Sequence, residues 1–370
     1  MDKKIVLTGT HFTPALALID KLKQEKYKIL YLGRQTSLAD SNQPSIEKQL
    51  LPSSQIIFKS IISPKLMRFN LFKSFLNSFK FPLGIIQSLI YLASFKPKLV
   101  FSFGGHTALP VCLAAKILRL PIIIHEQTFA AGLTSKITAK LANKIAISWP
   151  ASTQHFKASK TVLTGNPIRQ KIIDLKSILA KSVKFPLLEK SIYITGGNQG
   201  SKILNQNVNK ILIKLLNQHT VYHQFGLAQS KSSWENQQSI KNSLPNDLKK
   251  KYFLKRWFSI NDLISIFKRI HLVISRSGAN TITELGFLNK PAVLIPLPHS
   301  QKNEQLINAQ YLKKLGLAII LPQSKLTPRS LYKSILKANK NLPQSSTIQF
   351  PFDLVTNATN NLYQLILSQK

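Results

Sequence analysis

Hydrophobic residues along the chain alternate between short apolar runs and longer segments with helical spacing. The run "KKIVLTGT" has the pattern of a buried strand, and in the next segment Ala15, Leu18, Ile19 and Leu22 share one helix face. The run "KILYLG" then has a strand pattern again. A strand, a helix and a strand within about thirty residues are typical of a βαβ unit with parallel strands. The same alternation continues through "KLVFSFGG", "PIIIHEQ" and "KIAISW".

A second series of strand and helix patterns follows "TVLTGNPIR" and runs from "SIYITGGNQG" to "PAVLIPLP". Two such series predict an α/β fold made of two doubly wound, Rossmann-like parallel-sheet domains. We expect an N-terminal domain over residues 1–165 and a C-terminal domain over residues 166–351. A C-terminal helix over residues 352–370 is expected to pack back on the N-terminal domain.

The composition indicates the number of domains and the compartment in which the protein works. Of its 370 residues 44% are hydrophobic, which is enough for two domains with their own cores. The single cysteine, Cys112, excludes an internal disulfide and suits a reducing compartment. The first apolar run is too short for a signal peptide, and the longest mostly apolar window, Phe81–Phe95, is shorter than the roughly 18 residues of a membrane span. We therefore expect a cytoplasmic protein that does not span the membrane.

The chain is strongly basic, with 51 Lys and Arg against 14 Asp and Glu and a formal net charge of +37. An anionic partner would explain this charge, and so would a compositional bias of the genome. The segment "SPKLMRFNLFKSFLNSFKFPLG" (63–84) lies in a stretch without acidic residues. Its aromatic and basic residues recur at helical spacing: Phe69, Phe72, Phe75, Phe79, Lys73 and Lys80.

This segment fits an amphipathic helix whose rings enter a lipid interface while its lysines contact lipid phosphates. The same stripe would also suit a surface helix packed on the domain core, or stacking on single-stranded nucleic acid. No helix-turn-helix, zinc-finger or RNA-recognition signature accompanies it. We therefore expect an anionic membrane surface, and no nucleic acid, as the partner.

Five predicted strands end in loops of glycine or small polar residues: "LTGTH", "SFGGH", "IHEQT", "ITGGNQG" and "SRSGANT". In doubly wound sheets ligands bind beyond the carboxyl ends of the strands, where glycine lets the backbone approach and helix N-termini offer N–H groups. In the fifth loop a phosphate would suit the helix start, and Glu284 would face neutral hydroxyls such as a ribose diol. Thr281 and Glu284 also fit a T-x-x-E capping box, which is a purely local role.

Several blocks together closely resemble the MurG family, in family order from Lys4 to roughly Leu321: "FGGH", "IHEQTFAAGLTSKITAKLA", "LTGNPIR", "TGGNQGSKILN" and "SRSGANTITELGFLNKPAVLIPLPH". Enzymes of this family transfer N-acetylglucosamine from UDP-N-acetylglucosamine to undecaprenyl-pyrophosphoryl-muramoyl-pentapeptide. They turn lipid I into lipid II in peptidoglycan synthesis, and so serve cell wall biogenesis, cell shape and cell division. The resemblance implies the GT-B architecture, two facing Rossmann-like domains with a cleft between them, and a peripheral position at the cytoplasmic face of the cell membrane.

The resemblance also implies roles for individual residues. Contacts to UDP-N-acetylglucosamine fall on Arg169, Asn198, Ile260, Ala279, Asn280, Thr281, Ile282, Thr283, Glu284 and Gln305, with Ile260 near the uracil, Glu284 on the ribose and Gln305 at the sugar. In the N-terminal half they fall on Thr8, Gly9, Thr10, His11 and Thr128. The acceptor, a polyprenyl-pyrophosphate-linked muramoyl-peptide, would meet His106 and Asn205.

Four departures from the family pattern put the acceptor side in question. The first loop, "LTGTHFTP", is shorter than the glycine-rich loop of the family. His106 stands where the family usually has Tyr, Thr128 where it has Asn, and Asn198 where it has Ser. Three alternatives stay open: a transferase for another lipid acceptor, an epimerase of UDP-N-acetylglucosamine with the same two-domain architecture, and a basic nucleic-acid-binding protein.

An inverting transfer needs a base for the acceptor hydroxyl and stabilisation of the departing UDP. His11 is the first candidate for the base, because it follows a predicted strand at the turn into a helix, and Glu126 is the second. The chain contains no Asp-x-Asp cluster, so we expect neither a metal nor a cofactor. The charge of the leaving group would then be met by the helix start at Gly278 and by Arg169.

Overall fold

The computed structural model describes residues 3–36, 43–52, 56–63, 80–181, 190–298, 300–342 and 350–369. The chain divides into two compact units, each built around one parallel β-sheet. Unit 1 contains residues Met1–Arg169 and Phe352–Lys370. Unit 2 contains residues Gln170–Pro351.

The described part of unit 1 has seven strands: β1 (Lys4–Thr8), β2 (Lys28–Gly33), β3 (Ile57–Ser60), β4 (Leu99–Ser102), β5 (Ile122–Glu126), β6 (Lys144–Ile147) and β7 (Thr161–Leu163). They are parallel and lie in the order β3-β2-β1-β4-β5-β6-β7. Connecting helices are α1 (Phe12–Gln24), α2 (Ile46–Leu50), α3 (Phe81–Phe95), α4 (Ala108–Ile117) and α5 (Leu133–Leu141), with 3₁₀ turns at Pro150–His155 and Ala158–Lys160. Val6 of β1, Val100 of β4 and Ile124 of β5 belong to one buried hydrophobic core. These strands are continuous apolar runs because helices cover a parallel sheet on both faces.

Unit 2 has helices and strands in the same alternation. Its strands are β8 (Ser191–Thr195), β9 (Thr220–Gln224), β10 (Tyr252–Lys255), β11 (Ile270–Ser275), β12 (Ala292–Leu294) and β13 (Ala318–Ile320). They are parallel, in the order β10-β9-β8-β11-β12-β13. Its helices are α6 (Gln170–Lys181), α7 (Lys202–Leu216), α8 (Lys231–Asn242), α9 (Asn246–Lys250), α10 (Ile260–Arg269), α11 (Ala279–Phe287), α12 (Glu304–Lys314) and α13 (Pro328–Asn341), with 3₁₀ turns at Gln301–Asn303 and Gln323–Lys325. Ile192, Val221, Leu272 and Val293 belong to its core.

The strand order reverses at one place in each sheet. In unit 1 the reversal lies between β1 and β4, and in unit 2 it lies between β8 and β11. Ligand sites of doubly wound sheets form at the carboxyl ends of the strands at such a point. The topology confirms the predicted α/β class with two Rossmann-like parallel sheets, and it places four of the five predicted loops at the two switch points.

The last residues of the chain return to unit 1 as α14 (Asp353–Thr356) and α15 (Ala358–Leu367). The backbone N–H of Asn166 donates to the carbonyl of Leu354 over 2.9 Å, and the hydroxyl of Tyr363 donates to Glu25 Oε2 over 3.0 Å. The second bond ties α15 to the residue that follows α1. These contacts make the C-terminal helices part of the unit that contains β1.

The predicted amphipathic helix over residues 63–80 falls almost entirely on residues 64–79, which lie outside the described residues. The predicted membrane contacts Phe69, Phe72, Lys73, Phe75 and Phe79 are among them. Lys80, which directly precedes α3, has an exposed side chain. None of the helices in the described ranges is both long enough and apolar enough to cross a bilayer.

Candidate functional site

In unit 2 a glycine-rich loop, residues 196–200, joins β8 to α7. Gly197 and Gly200 have φ angles of +79° and +83°. At Gly200 a side chain would also collide with the carbonyl of Phe225. The loop is closed by hydrogen bonds from the N–H of Gly197 to Thr195 Oγ1 (3.0 Å) and from the N–H of Gly200 to the carbonyl of Gly197 (3.2 Å). This tight turn brings the backbone to the N-terminus of α7, where an anion would find N–H donors.

The loop after β11 leads into α11, which begins after Gly278. Gly278 is the N-cap and has no side chain, so Thr281 is already the third residue of the helix. The T-x-x-E capping box considered from the sequence is therefore wrong. Asn280, Thr281 and Glu284 are half-buried, as is Ala279.

Two residues of the predicted donor set face inward. The side chains of Ile282 and Thr283 are fully buried, and Thr283 Oγ1 donates to the carbonyl of Ala279 over 2.8 Å. A polar ligand above the start of α11 could meet the backbone there, while Ile282 and Thr283 anchor the helix to its unit.

Gln305 lies near the start of α12 and is half-buried rather than turned to solvent. Its Oε1 accepts from the N–H of Leu297 over 2.9 Å. Its carbonyl accepts from Ser277 Oγ over 2.7 Å, which ties α12 to the loop after β11. The structure thus brings Gln305 close to the loop that leads into α11.

The other predicted donor residues stand at ends of elements. Asn198 lies in the glycine-rich loop, and its carbonyl accepts from the N–H of Leu227 over 3.0 Å. Ile260 is the first residue of α10, whose N-cap Ser259 forms a capping box with Asp262. Arg169 is the last residue of unit 1, and its side chain is buried, so it is not a surface arginine.

Arg276 stands inside the quoted motif but was given no role from the sequence. Its guanidinium is buried and donates to the carbonyl of Ile295 (3.1 Å), to Ser201 Oγ (2.8 Å) and to Gln323 Oε1 (2.6 Å). Burial lowers the pKa of the guanidinium. Among the described residues no carboxylate pairs with it, so it adds positive charge at the N-cap of α7. An arginine directly after a mostly apolar strand is the signal that could have revealed it.

Asn205, predicted on the acceptor side, is buried within unit 2. Its Nδ2 donates to the carbonyl of Phe225 over 3.0 Å, and its Oδ1 lies 3.1 Å from His223 Nε2. Burial lowers the pKa of His223 to about 3, so this ring is neutral. Because Oδ1 can only accept, Nε2 of His223 carries the proton, and Nδ1 accepts from the hydroxyl of Tyr252 over 2.7 Å. These are the contacts of a structural residue, and we do not assign Asn205 to the acceptor.

In unit 1 the loops after β1 and β4 touch each other. The N–H of Thr10 donates to the carbonyl of Gly104 over 3.0 Å. Gly9 has a φ angle of +132°, and a side chain there would meet that same carbonyl at 2.8 Å. Thr8 ends β1 with a fully buried side chain. His106 follows the two glycines of the β4 loop, and its carbonyl accepts from Ser63 Oγ over 2.7 Å.

His11 is the N-cap of α1 and is half-buried, and its side chain makes no capping bond. Its pKa is lowered, first by burial and further by the charge of Arg34, while the nearby carboxylate of Glu126 opposes the shift. His11 is therefore neutral at physiological pH, which is the form that can accept a proton.

Glu126 is buried at the end of β5, and both of its oxygens are used within its own loop. Oε1 accepts from the N–H of Thr128 (2.9 Å) and from Thr128 Oγ1 (2.6 Å), and Oε2 accepts from the N–H of Gly132 (3.0 Å). This carboxylate shapes the segment from β5 to α5, and the hydroxyl of Thr128 is committed to it. The geometry favours His11 over Glu126 as a base.

No group of three His, Cys, Asp or Glu side chains that could hold a metal ion occurs in the described part of the chain. In unit 2, backbone N–H groups at the starts of α7 and α11 can bind a phosphorylated, hydroxyl-rich ligand. In unit 1, the neutral imidazole of His11 can accept a proton.

Comparison with protein families matches both halves of the chain. Residues 7–147 match the glycosyltransferase family 28 N-terminal domain, and residues 191–351 match the glycosyltransferase family 28 C-terminal domain. Curated relatives of Clostridium kluyveri and Clostridium perfringens (strain SM101) are each 32% identical to this chain. The first covers 100% of both chains, and the second covers 98% of this chain and 97% of its own. Both are named UDP-N-acetylglucosamine–N-acetylmuramyl-(pentapeptide) pyrophosphoryl-undecaprenol N-acetylglucosamine transferase.

Solved structures give the same picture at the level of the fold. The crystal structure of Acinetobacter baumannii MurG is 25% identical, with a TM-score of 0.64 and 99% of each chain covered. The UDP-GlcNAc 2-epimerase of Neisseria meningitidis, solved with UDP-GlcNAc, has the same TM-score of 0.64 and 99% coverage of each chain, but only 14% identity. At that identity the epimerase shares the fold and supports nothing more.

Proposed function

The chain belongs to the MurG family of glycosyltransferase family 28, and we propose that it converts lipid I to lipid II in peptidoglycan synthesis. It would transfer N-acetylglucosamine, with inversion, from UDP-N-acetylglucosamine to the muramoyl sugar of a polyprenyl-pyrophosphate-linked muramoyl-pentapeptide. The observation that carries this proposal is the 32% identity to a curated transferase over the whole of both chains.

We assign the donor mainly to unit 2. The glycine-rich loop, the N-terminus of α7 and the N-terminus of α11 offer N–H groups to the diphosphate. Glu284 lies about one and a half turns into α11, away from that charge, and suits the ribose hydroxyls. Ile260 would contact the uracil, and Asn198 and Gln305 complete the set in unit 2. Arg169, the last residue of unit 1, is a further residue assigned to the donor.

For the chemical step we assign His11 as the base. An unprotonated ring nitrogen of His11 would take the proton of the acceptor hydroxyl. The oxygen of that hydroxyl would form a bond to C1 of N-acetylglucosamine while the bond from C1 to UDP breaks. The leaving diphosphate would be stabilised by the helix N-termini of unit 2 and by the positive charge of Arg169 and Arg276. Thr8, Gly9, Thr10 and Thr128 lie on loops of unit 1 and are also assigned to UDP-N-acetylglucosamine, while His106, on the loop after β4, is assigned to the acceptor.

We also propose that the enzyme is peripheral at the cytoplasmic face of an anionic membrane. Support comes from α3, where Leu83, Ile86 and Ile90 form one stripe and are 50–60% exposed. The neighbouring helices α4 and α5 expose further apolar side chains, Ile117, Leu133 and Ile137. Basic side chains are exposed on these helices or within two residues of their ends: Lys80, Lys116, Arg119 and Lys140. Apolar side chains bordered by lysines are suited to a lipid interface.

The test offers a set of labelled UDP-sugars to the purified enzyme with a polyprenyl-pyrophosphate-linked muramoyl-pentapeptide. We expect label to move only from UDP-N-acetylglucosamine, and UDP to be released only when the acceptor is present. Release of UDP together with a 2-epimer in the absence of acceptor would support the epimerase alternative instead. Transfer to a different lipid would keep the enzyme class and change the acceptor.

A further inference from the structure

One buried glutamine, at the end of β9, is hydrogen-bonded both to the loop after β8 and to the segment after β10. Gln224 is the last residue of β9, between β8 and β10 in the sheet, and is 3% exposed. Its Nε2 donates to Thr195 Oγ1 (3.2 Å) and to the carbonyl of Gly197 (3.3 Å). Its Oε1 accepts from the N–H of Phe258 over 3.0 Å. The single side-chain amide thus bonds the loop after β8 to the segment after β10.

On the β8 side these bonds fix the turn that opens the glycine-rich loop. Thr195 Oγ1, which accepts from Gln224, also accepts from the N–H of Gly197 over 3.0 Å. Gln224 therefore bonds the carbonyl of Gly197 directly and its N–H through the hydroxyl of Thr195. The turn cannot shift without breaking this set.

On the β10 side the bond holds the entrance to α10. Phe258 directly precedes Ser259, the N-cap of α10, and Ile260 is the first residue of that helix. The ring of Phe258 packs edge-on against Tyr193 of β8, with centroids 6.0 Å apart. The position of Ile260 therefore depends on a backbone N–H that Gln224 holds.

We propose that Gln224 is a positioning residue for the nucleotide, holding the diphosphate loop and the uracil segment in one fixed register. The inference rests on the proposed function, which gives the first loop to the diphosphate and Ile260 to the uracil. A ligand with two connected ends gains from both contacts only if the two parts of the site are already at the right separation. Gln224 itself would not touch the ligand.

A second buried glutamine of the same unit provides a matched control. Gln237 on α8 is 1% exposed and also makes three side-chain bonds. Its Nε2 donates to Asn209 Oδ1 (2.8 Å) and to the hydroxyl of Tyr252 (2.9 Å), and its Oε1 accepts from Asn209 Nδ2 (2.8 Å). Neither Asn209 nor Tyr252 belongs to the two loops, so Gln237 has a structural role only.

The experiment compares Gln224→Met with Gln237→Met in the full-length protein. Each variant keeps the side-chain volume and loses three hydrogen bonds, so we expect similar losses in melting temperature. Dissociation constants for UDP and for uridine are measured by competition. For Gln237→Met the ratio of the two constants should equal that of the parent. For Gln224→Met we expect UDP to lose about tenfold more affinity than uridine, because the lost hydrogen bonds no longer align the two loops.

Gln224→Glu is a second variant that keeps the acceptor for Phe258 but removes the hydrogen bonds that Nε2 donates to Thr195 Oγ1 and to the carbonyl of Gly197. It too should weaken UDP more than uridine. A parent-like ratio in folded Gln224→Glu or Gln224→Met protein would overturn the positioning role. Failure of the parent protein to bind UDP would instead contradict the proposed function, so the two failures are distinguishable.

Discussion

Glu284 is the sixth residue of α11, a helix whose start is set by Gly278. We predict that Glu284→Gln weakens UDP binding about tenfold to hundredfold. That range corresponds to the roughly 1.5–3 kcal/mol of charge-assisted hydrogen bonds to ribose hydroxyls. Calorimetric titration with UDP measures the loss. Glu235→Gln, at an exposed position of α8 in the same unit, is the control and should bind UDP like the parent. Unchanged affinity in Glu284→Gln would remove the ribose assignment.

The pH dependence of activity tests whether His11 or Glu126 is the catalytic base. Burial and Arg34 lower the pKa of His11 below its usual 6.5, so activity should be full above pH 6.5 and fall as pH drops through the lowered value. His11→Ala should lower kcat by about 10²–10⁴-fold and remove this acidic limb. Glu126→Gln should lower stability, because an amide NH₂ would face an N–H of its loop, but should keep the limb. A limb that disappears in Glu126→Gln and persists in His11→Ala would reverse the assignment.

At this scale the sequence indicates where side chains lie better than what they bind. His11 and Glu284 could be placed because a strand end followed by a helix start has a local signature. The role of Asn205 could not be predicted, because its partners His223 and Phe225 lie 18 and 20 residues away, at the end of β9. The hydrogen bond from the Thr128 hydroxyl to Glu126 could not be predicted for a different reason. It depends on the exact bend of the loop and not on spacing.

His125 on β5 and His223 on β9 are buried, neutral histidines. Burial lowers the pKa of His125 to about 4 and that of His223 to about 3. In the unfolded chain both would titrate near 6.5, so the unfolded state binds more protons between these values. Stability from this source is complete above about pH 6.5 and is lost as pH falls, by up to about 1.4 kcal/mol per pH unit for each histidine.

Urea unfolding at about pH 7 and about pH 5 measures this dependence. We predict that His223→Gln, whatever its own stability, shows a smaller loss between the two pH values than the parent. A loss of the same size in both proteins would mean that His223 is not the neutral buried group described here.

Elements show a similar limit of sequence-based prediction. The strands could be predicted individually, because a buried parallel strand is a continuous apolar run. Their order could not, since β4 pairs with β1 across more than ninety residues and β11 pairs with β8 across the whole of α7 to α10. Those two pairings create the switch points, and with them the contact between the Gly9 and Gly104 loops.

For the whole molecule the net charge of +37 and the apolar stripe of α3 lead to one prediction about location. We expect the protein to bind anionic vesicles through both electrostatic attraction and the burial of apolar side chains. Each lysine near the surface should add about 1 kcal/mol to the binding free energy. Raising the salt concentration should weaken binding without abolishing it, because burial of apolar side chains is not screened. Neutral vesicles should be bound more weakly than anionic ones at low salt.

The decisive variant combines Leu83→Ser, Ile86→Ser and Ile90→Ser. All three side chains are at least half exposed, so their loss should change the melting temperature little. Vesicle co-sedimentation should fall sharply, while UDP affinity, which we assign to unit 2, should match the parent. Ile213→Ser on α7 removes an equally exposed isoleucine from unit 2 and should leave vesicle binding intact. If the folded triple variant binds anionic vesicles as tightly as the parent, α3 is not the membrane-binding surface, and charge alone would have to account for the association.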